Sequence, residues 1–163
     1  MLLDDSTYDV VVISPYSQKL RNGKVNPKNY PYWNELIVLF KKEGFHVIQI
    51  GVGDEEKLDA NEHFFDLNIK DLKQVLTTFP IWISVDNFIQ HFGAWIGKKG
   101  IVLWGQSDPD IFGHKENINL LKDRKYIRKD TFNIWEAAEC NNEAFVSPEI
   151  VLEAVLKEFN EIK

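Results

Sequence analysis

Apolar positions along this chain fall into two alternating patterns. Residues 8–14 (YDVVVIS), 45–51 (FHVIQIG), 81–85 (IWISV) and 100–104 (GIVLW) are short, nearly continuous apolar runs rich in Val and Ile. That is the pattern of strands buried on both faces of a parallel sheet. Phe64-Phe65-Asp66 reads as one further, brief strand. Between these runs the period lengthens. Over residues 32–43, Trp33, Leu36, Ile37 and Phe40 recur at i, i+3, i+4 and i+7 and share one helix face, with Gly44 where a helix C-terminus belongs. The turn Val52-Gly53-Asp54 leads into a short acidic helix, and a helix over residues 69–78 turns Leu72, Val75 and Leu76 inward. Another helix follows Asp86 and closes at Gly97, with Phe88, Phe92 and Trp95 on its buried stripe and His91 beside them. Ser147-Pro148-Glu149 opens the last helix as N-cap, first-turn proline and first-turn acid, with an apolar stripe of Ile150, Val151, Ala154, Val155 and Phe159.

Strand and helix in alternation predict an α/β fold: a single Rossmann-like domain over residues 1–163, with an open, mostly parallel sheet covered by helices on both faces. Ligands of such sheets bind outside the carboxyl ends of the strands, where the strand order reverses. The loops to inspect are those after Ser14, Gly51, Val85 and Trp104.

Composition narrows the chemistry. A formal charge of −6 argues against a nucleic-acid binder, which needs a basic face for phosphate neutralisation. The basic cluster at 122–129 is interrupted by Asp123 and reads as a solvated loop or edge strand. The single cysteine, Cys140, excludes an intramolecular disulfide and a Cys-rich zinc site, and a structural role is expected for it. His46, His63, His91 and His114 lack the close spacing of metal ligands, so no metal is expected. No stretch has the length and apolarity of a membrane span, and no signal peptide is visible, so the expectation is a soluble, cytoplasmic protein.

Among the loops, the one after Val85 carries the most information. Asp86 stands in N-cap position, where its carboxylate either caps the N–H groups of Asn87 to Ile89 or orients a turn whose free N–H groups meet a ligand phosphate. His91, five residues on, is not a helical partner of Asp86 and reads by itself as a packed histidine. Lys28, just before the helix that begins near Pro31, is within reach of phosphates held at the strand ends. Gly51 and Gly53 allow close backbone approach to a ligand, although the full dinucleotide fingerprint is absent. There is no P-loop motif and no G-x-S-x-G nucleophile elbow.

Taken in order, these segments resemble the C-terminal, donor-binding half of the heptosyltransferase-type glycosyltransferases of family nine, which have the GT-B fold. The family's strand, Asp-(Ser/Thr)-Gly-x-x-His helix and strand ending in Phe-Gly-x-(Thr/Ser)-x-Pro are matched by the run from Asp86 to Gly97 and by Trp104-Gly105-Gln106-Ser107-Asp108-Pro109. Its Lys-x-Trp-Pro resembles Lys28-Asn29-Tyr30-Pro31, its Gly-rich turn resembles Gly51-Val52-Gly53-Asp54, and the segment before its Asp motif resembles Asp66-Leu67-Asn68-Ile69. The ending, a Cys followed by a Ser/Thr-Pro-Glu helix, is matched by Cys140 and Ser147-Pro148-Glu149, so the resemblance runs over residues 8–159.

The resemblance implies a nucleoside-diphosphate sugar as substrate and no further cofactor. It implies a binding site made of Lys28, Gly51, Gly53, Leu67, Asp86, Asn87, Phe88 and His91, with no catalytic residue assigned. Two positions depart from the family: Phe88 replaces its Gly and Asn87 its Ser or Thr. The family's N-terminal half, which supplies the acceptor surface and a carboxylate base, has no counterpart here, so a protein partner or a second copy is expected to supply it. Two other readings remain open: an interaction protein that kept the fold and lost the chemistry, and a stand-alone nucleoside deoxyribosyltransferase-like enzyme using Asp86.

Overall fold

A computed structural model describes residues 9–130 and 132–162. In chain order the elements are β1 (Asp9–Ser14), α1 (Trp33–Lys42), β2 (Phe45–Gly51), β3 (Glu62–Phe65), α2 (Ile69–Thr78) and β4 (Ile81–Val85). They continue with α3 (Phe88–Trp95), β5 (Ile101–Trp104), α4 (Pro109–Phe112), β6 (Ile118–Leu121) and α5 (Pro148–Ile162). Tyr8, expected to begin the first strand, lies outside the described residues. The six strands form one sheet in the order β3-β2-β1-β4-β5-β6, and every pairing is parallel. This is the doubly wound arrangement that the alternation predicts.

Alternate residues of each strand feed two cores. Val11, Ile13, Val47, Ile83 and Leu103 face α1 and α5, whose Leu36, Phe40, Val151, Val155 and Phe159 cover them. Val10, Val12, Ile48, Trp82 and Val102 face α2 and α3, whose Leu72, Leu76, Ile89 and Phe92 close the other side. A sheet buried on both faces leaves its edges for ligands, and its carboxyl edge carries the long loops.

The structure corrects several expectations. No helix follows the turn at 52–54. Gln49, wholly buried in β2, donates to the Glu56 carbonyl at 2.8 Å and accepts from the Leu58 N–H at 2.8 Å, which holds that segment irregular. On α3 the buried face is Ile89, Gln90, Phe92 and Gly93, while Phe88 and Trp95 are exposed. On α5, Ile150 is exposed, and Glu158 shares the buried face with Val151, Val155 and Phe159. Cys140 is exposed rather than structural in the core. The strand β6 and the one-turn α4 were not foreseen. No described helix is long and apolar enough to cross a membrane.

The α3 face is set by Trp82. Its indole fills the space left by Gly93 and Gly100 and donates Nε1–H to the Lys98 carbonyl at 3.0 Å. A Cβ added at Gly100 would fall inside the ring, against atoms that buried β4 cannot move. Gly100→Ala is therefore expected to cost about 2 kcal/mol in urea unfolding, as overpacking of a dense core does. A loss under about 0.5 kcal/mol, the range of an ordinary surface change, would show that the indole is not held there.

Candidate functional site

The strand order reverses between β1 and β4. The chain leaves β1 towards β2 on one side, whereas β4 is followed by β5 on the other. Ser14 pairs with Ser84 in register, so the loops after both strands emerge side by side. Asn87 joins them: its Nδ2 donates to Ser14 Oγ and to the Tyr16 carbonyl, both at 3.0 Å. Its Oδ1 accepts the Ile89 N–H at 2.9 Å, which makes Asn87 the N-cap of α3.

Asp86 therefore does not cap the helix, contrary to the simpler expectation, and its carboxylate turns inward. It is 6% exposed. Its Oδ1 accepts from Gln90 Nε2 at 2.6 Å, and its Oδ2 meets Lys28 Nζ at 2.9 Å and Ser107 Oγ at 3.2 Å. Its carbonyl accepts from Ser17 Oγ at 2.6 Å. One residue thus ties together the loop after β1, the first turn of α3 and the loop after β5. A buried charge needs such partners, because desolvation without them costs several kcal/mol.

Local bonds aim Lys28 at this carboxylate. Its backbone N–H donates to Asn26 Oδ1 at 3.0 Å, and Asn26 Nδ2 donates to the Gln18 carbonyl at 3.0 Å. Asn29 Oδ1 receives the Ser17 N–H at 2.8 Å. From the segment between β6 and α5, Trp135 lays its ring beside the same ammonium, with Lys28 Nζ 5.3 Å and the Arg128 guanidinium 4.3 Å from the ring centroid.

Above these groups lies a cavity of about 690 Å³. Lys28, Gly51, Leu67, Asp86, Asn87 and Phe88 all line it, so six candidate residues come together at the switch point. The Phe88 ring does not plug it: Phe88 is 56% exposed and stacks on Phe92, with centroids 5.5 Å apart. Among the described residues of the lining, Lys28 is the one cation, against the carboxylates of Asp86 and Glu55. Burial pushes the Glu55 carboxyl above its ordinary value.

Two candidates fall elsewhere. Gly53, in the left-handed region at φ 56°, lines a neighbouring cavity and donates its N–H to Asp66 Oδ1 at 2.8 Å. His91 is exposed, outside the cavity, and its Nδ1 is 2.9 Å from His114 Nε2. Partial desolvation, and then His114, hold the His91 imidazole below its ordinary value. Gly51 has a packing reason to be glycine as well, since a Cβ there would meet the Phe65 ring at 2.7 Å.

Sequence reasoning missed Gln90, Ser107, Tyr16 and Glu55. Gln90 was findable, because it stands at the helical i+4 position from Asp86. Among the described residues no group of three or more His, Cys, Asp or Glu is placed to hold a metal ion.

No protein-family model matches the chain, and no curated protein is significantly similar to it in sequence. Solved structures are similar in fold. A family 9 glycosyltransferase from Veillonella parvula superposes with a TM-score of 0.74 at 16% identity, covering 98% of this chain and 48% of that one. The ADP-heptose LPS heptosyltransferase II of E. coli gives 0.67 at 14% identity, covering 96% and 48%. E. coli heptosyltransferase WaaC with ADP gives 0.66 at 17% identity, covering 96% and 46%. The chain therefore spans about half the length of these proteins. At such identities it is the fold that is shared: this chain has the architecture of one half of a heptosyltransferase-type glycosyltransferase, in agreement with the motifs that resemble the C-terminal half.

Proposed function

We propose that this chain is the donor half of a glycosyltransferase, holding a nucleoside-diphosphate sugar in the switch-point cavity. The observation that carries the reading is the convergence of Lys28, Asp86 and Asn87 on one cavity at the carboxyl edge of the sheet. The diphosphate would lie at the N-terminus of α3, where free N–H groups and the positive end of the helix dipole favour an anion. Lys28 supplies the positive charge, shared between Asp86 and the ligand. The apolar wall of Ile50, Leu67, Ile69 and Leu72 is the natural place for the base. Two of the proteins similar in fold were solved with ADP or with ADP-D-beta-D-heptose, which supports this ligand class. In transfer, the departing diphosphate would be stabilised by the same donors that bind it. The acceptor surface comes from a partner chain or a second copy, and the setting is the cytoplasm, where nucleotide sugars are made available to such enzymes.

A second reading has its own observation. Lys28 is already neutralised by Asp86 at 2.9 Å, and an exposed aromatic, Phe88, stands at the cavity mouth. Those features suit an interaction protein that no longer binds the anion.

Thermal unfolding with ADP, other nucleoside diphosphates and ADP-sugars separates the two. ADP at a hundred times its Kd is expected to add about 2.7 kcal/mol of stability, and the absence of any shift across the panel would sink the donor reading. Lys28→Gln is expected to weaken ADP binding about tenfold, the loss of one charge-assisted hydrogen bond, and to leave adenosine binding unchanged. Apart from ligands, Lys28→Met leaves Asp86 buried without its cation and is expected to cost about 3 kcal/mol. The double variant Lys28→Met/Asp86→Asn should recover more than half of that in chemical denaturation. No recovery would mean that the lysine acts through packing alone.

A further inference from the structure

Helix α3 turns an uncharged, aromatic face to solvent. Among the described helices of eight residues or more, it alone carries no Asp, Glu, Lys or Arg. Its exposed positions are Phe88, His91 and Trp95, at i, i+3 and i+7 on one side of the helix. Both large rings rest on the buried Phe92, with centroids 5.5 Å and 5.7 Å from it, so they stand in a fixed row. His91 adds no charge at neutral pH, because partial desolvation and then His114 hold its imidazole below the ordinary value. We propose that this face is an interface between two copies of the chain, packed antiparallel along α3 about a two-fold axis at His91. The inference stands whether or not the switch-point cavity takes a nucleotide.

The spacing identifies the occupant. Phe88 and Trp95 are about 10.5 Å apart along the helix, at 1.5 Å per residue, with His91 close to midway. A two-fold axis there sets the Phe88 ring of each copy on the partner's Trp95, the reciprocal pairing that an isologous contact requires. Charge agrees. Each copy has a formal charge of −6, and pairing through α3 brings no like charges of that helix together. A different protein would be steered and selected by complementary charge, and this helix face offers it none.

Area agrees as well. Beside α3, the Phe112 carbonyl accepts from Gln90 Nε2 at 3.3 Å, and the Phe132 ring lies 6.0 Å from that of Phe112, which extends the apolar surface. Phe88, Trp95 and Phe132 are 56%, 77% and 82% exposed. At roughly 150–250 Å² for a buried aromatic side chain, they offer on the order of 400 Å² per copy. That is about half of the ~800 Å² a standard interface takes from each partner, and a polar rim supplies the remainder. Phe88 also lines the switch-point cavity, so the partner's Trp95 arrives at the mouth of that cavity and each copy completes the rim of the other's site.

Sedimentation velocity of the full chain over roughly 1–500 µM, a range suited to a small interface, is expected to show the mass rising from one copy to two. Trp95→Glu changes an exposed side chain and is expected to weaken association at least about thirtyfold, as loss of a tryptophan anchor does; His91→Glu serves if that variant does not fold. In a Cys140→Ser background, His91→Cys is expected to give a covalent dimer on mild oxidation, while Thr77→Cys on the exposed side of α2 is not. A monomer at every concentration overturns the proposal. So does a dimer that tolerates Trp95→Glu, or one that cross-links no better from position 91 than from 77. ADP binding is read by thermal unfolding of the Trp95→Glu monomer, so failure of the donor reading and failure of this one are told apart.

Discussion

A buried carboxylate at the edge of a parallel sheet is the constraint on which this structure turns. Asp86 ends β4 and faces inward, and it is satisfied by Lys28, Gln90 and Ser107. Those partners come from three separate segments, so the carboxylate fixes the mutual position of the loop after β1, the helix α3 and the loop after β5. Asn87 and Ser17 donate the further side-chain hydrogen bonds that close the same corner. A carboxylate in such a place is stable only while all of its partners are present. The cavity above it inherits that rigidity.

The same arrangement sets the terms on which an anion enters. In the proposed donor site a ligand phosphate would share Lys28 with Asp86, and it would gain the N-terminus of α3 and the polar loop after β1. Affinity would then depend on how far the ammonium can serve both groups, and less on how many cations surround the cavity. Trp135 bears on this, because its ring lies beside both Lys28 and Arg128. The segment after β6 thus takes part in the electrostatics of the corner that Lys28 and Asp86 form.

The central strands were legible in the sequence because burial on both faces leaves nearly unbroken apolar runs, as in Val10 to Ile13 and Ile101 to Trp104. β6 was not, because an edge strand of four residues containing Asn119 carries little of that signal. The stripe of α3 was misplaced because its face is set by the Trp82 indole under Gly93, a contact between separate elements. Asp86 and Asn87 are both good N-cap residues, and Lys28, Gln90 and Ser107 together hold the aspartate inward while the asparagine caps. Lys28, Gly51, Leu67, Asp86, Asn87 and Phe88 were reached through motif order and the rule that ligands bind at the strand reversal. Tyr16, Glu55 and Ser107 join the site through the convergence of loops, which no local pattern encodes.

The strand order has a consequence for how the chain reaches this state. Every ladder in the sheet is parallel, so no two neighbouring strands can be joined by a tight hairpin, and each pairing waits for an intervening segment to collapse. β1 must find β2 across α1 and then β4 across a much longer stretch, and only then do the loops that surround Asp86 meet. High contact order of this kind slows folding. Lys28 and Asp86 meet only where those long-range pairings have brought their loops together.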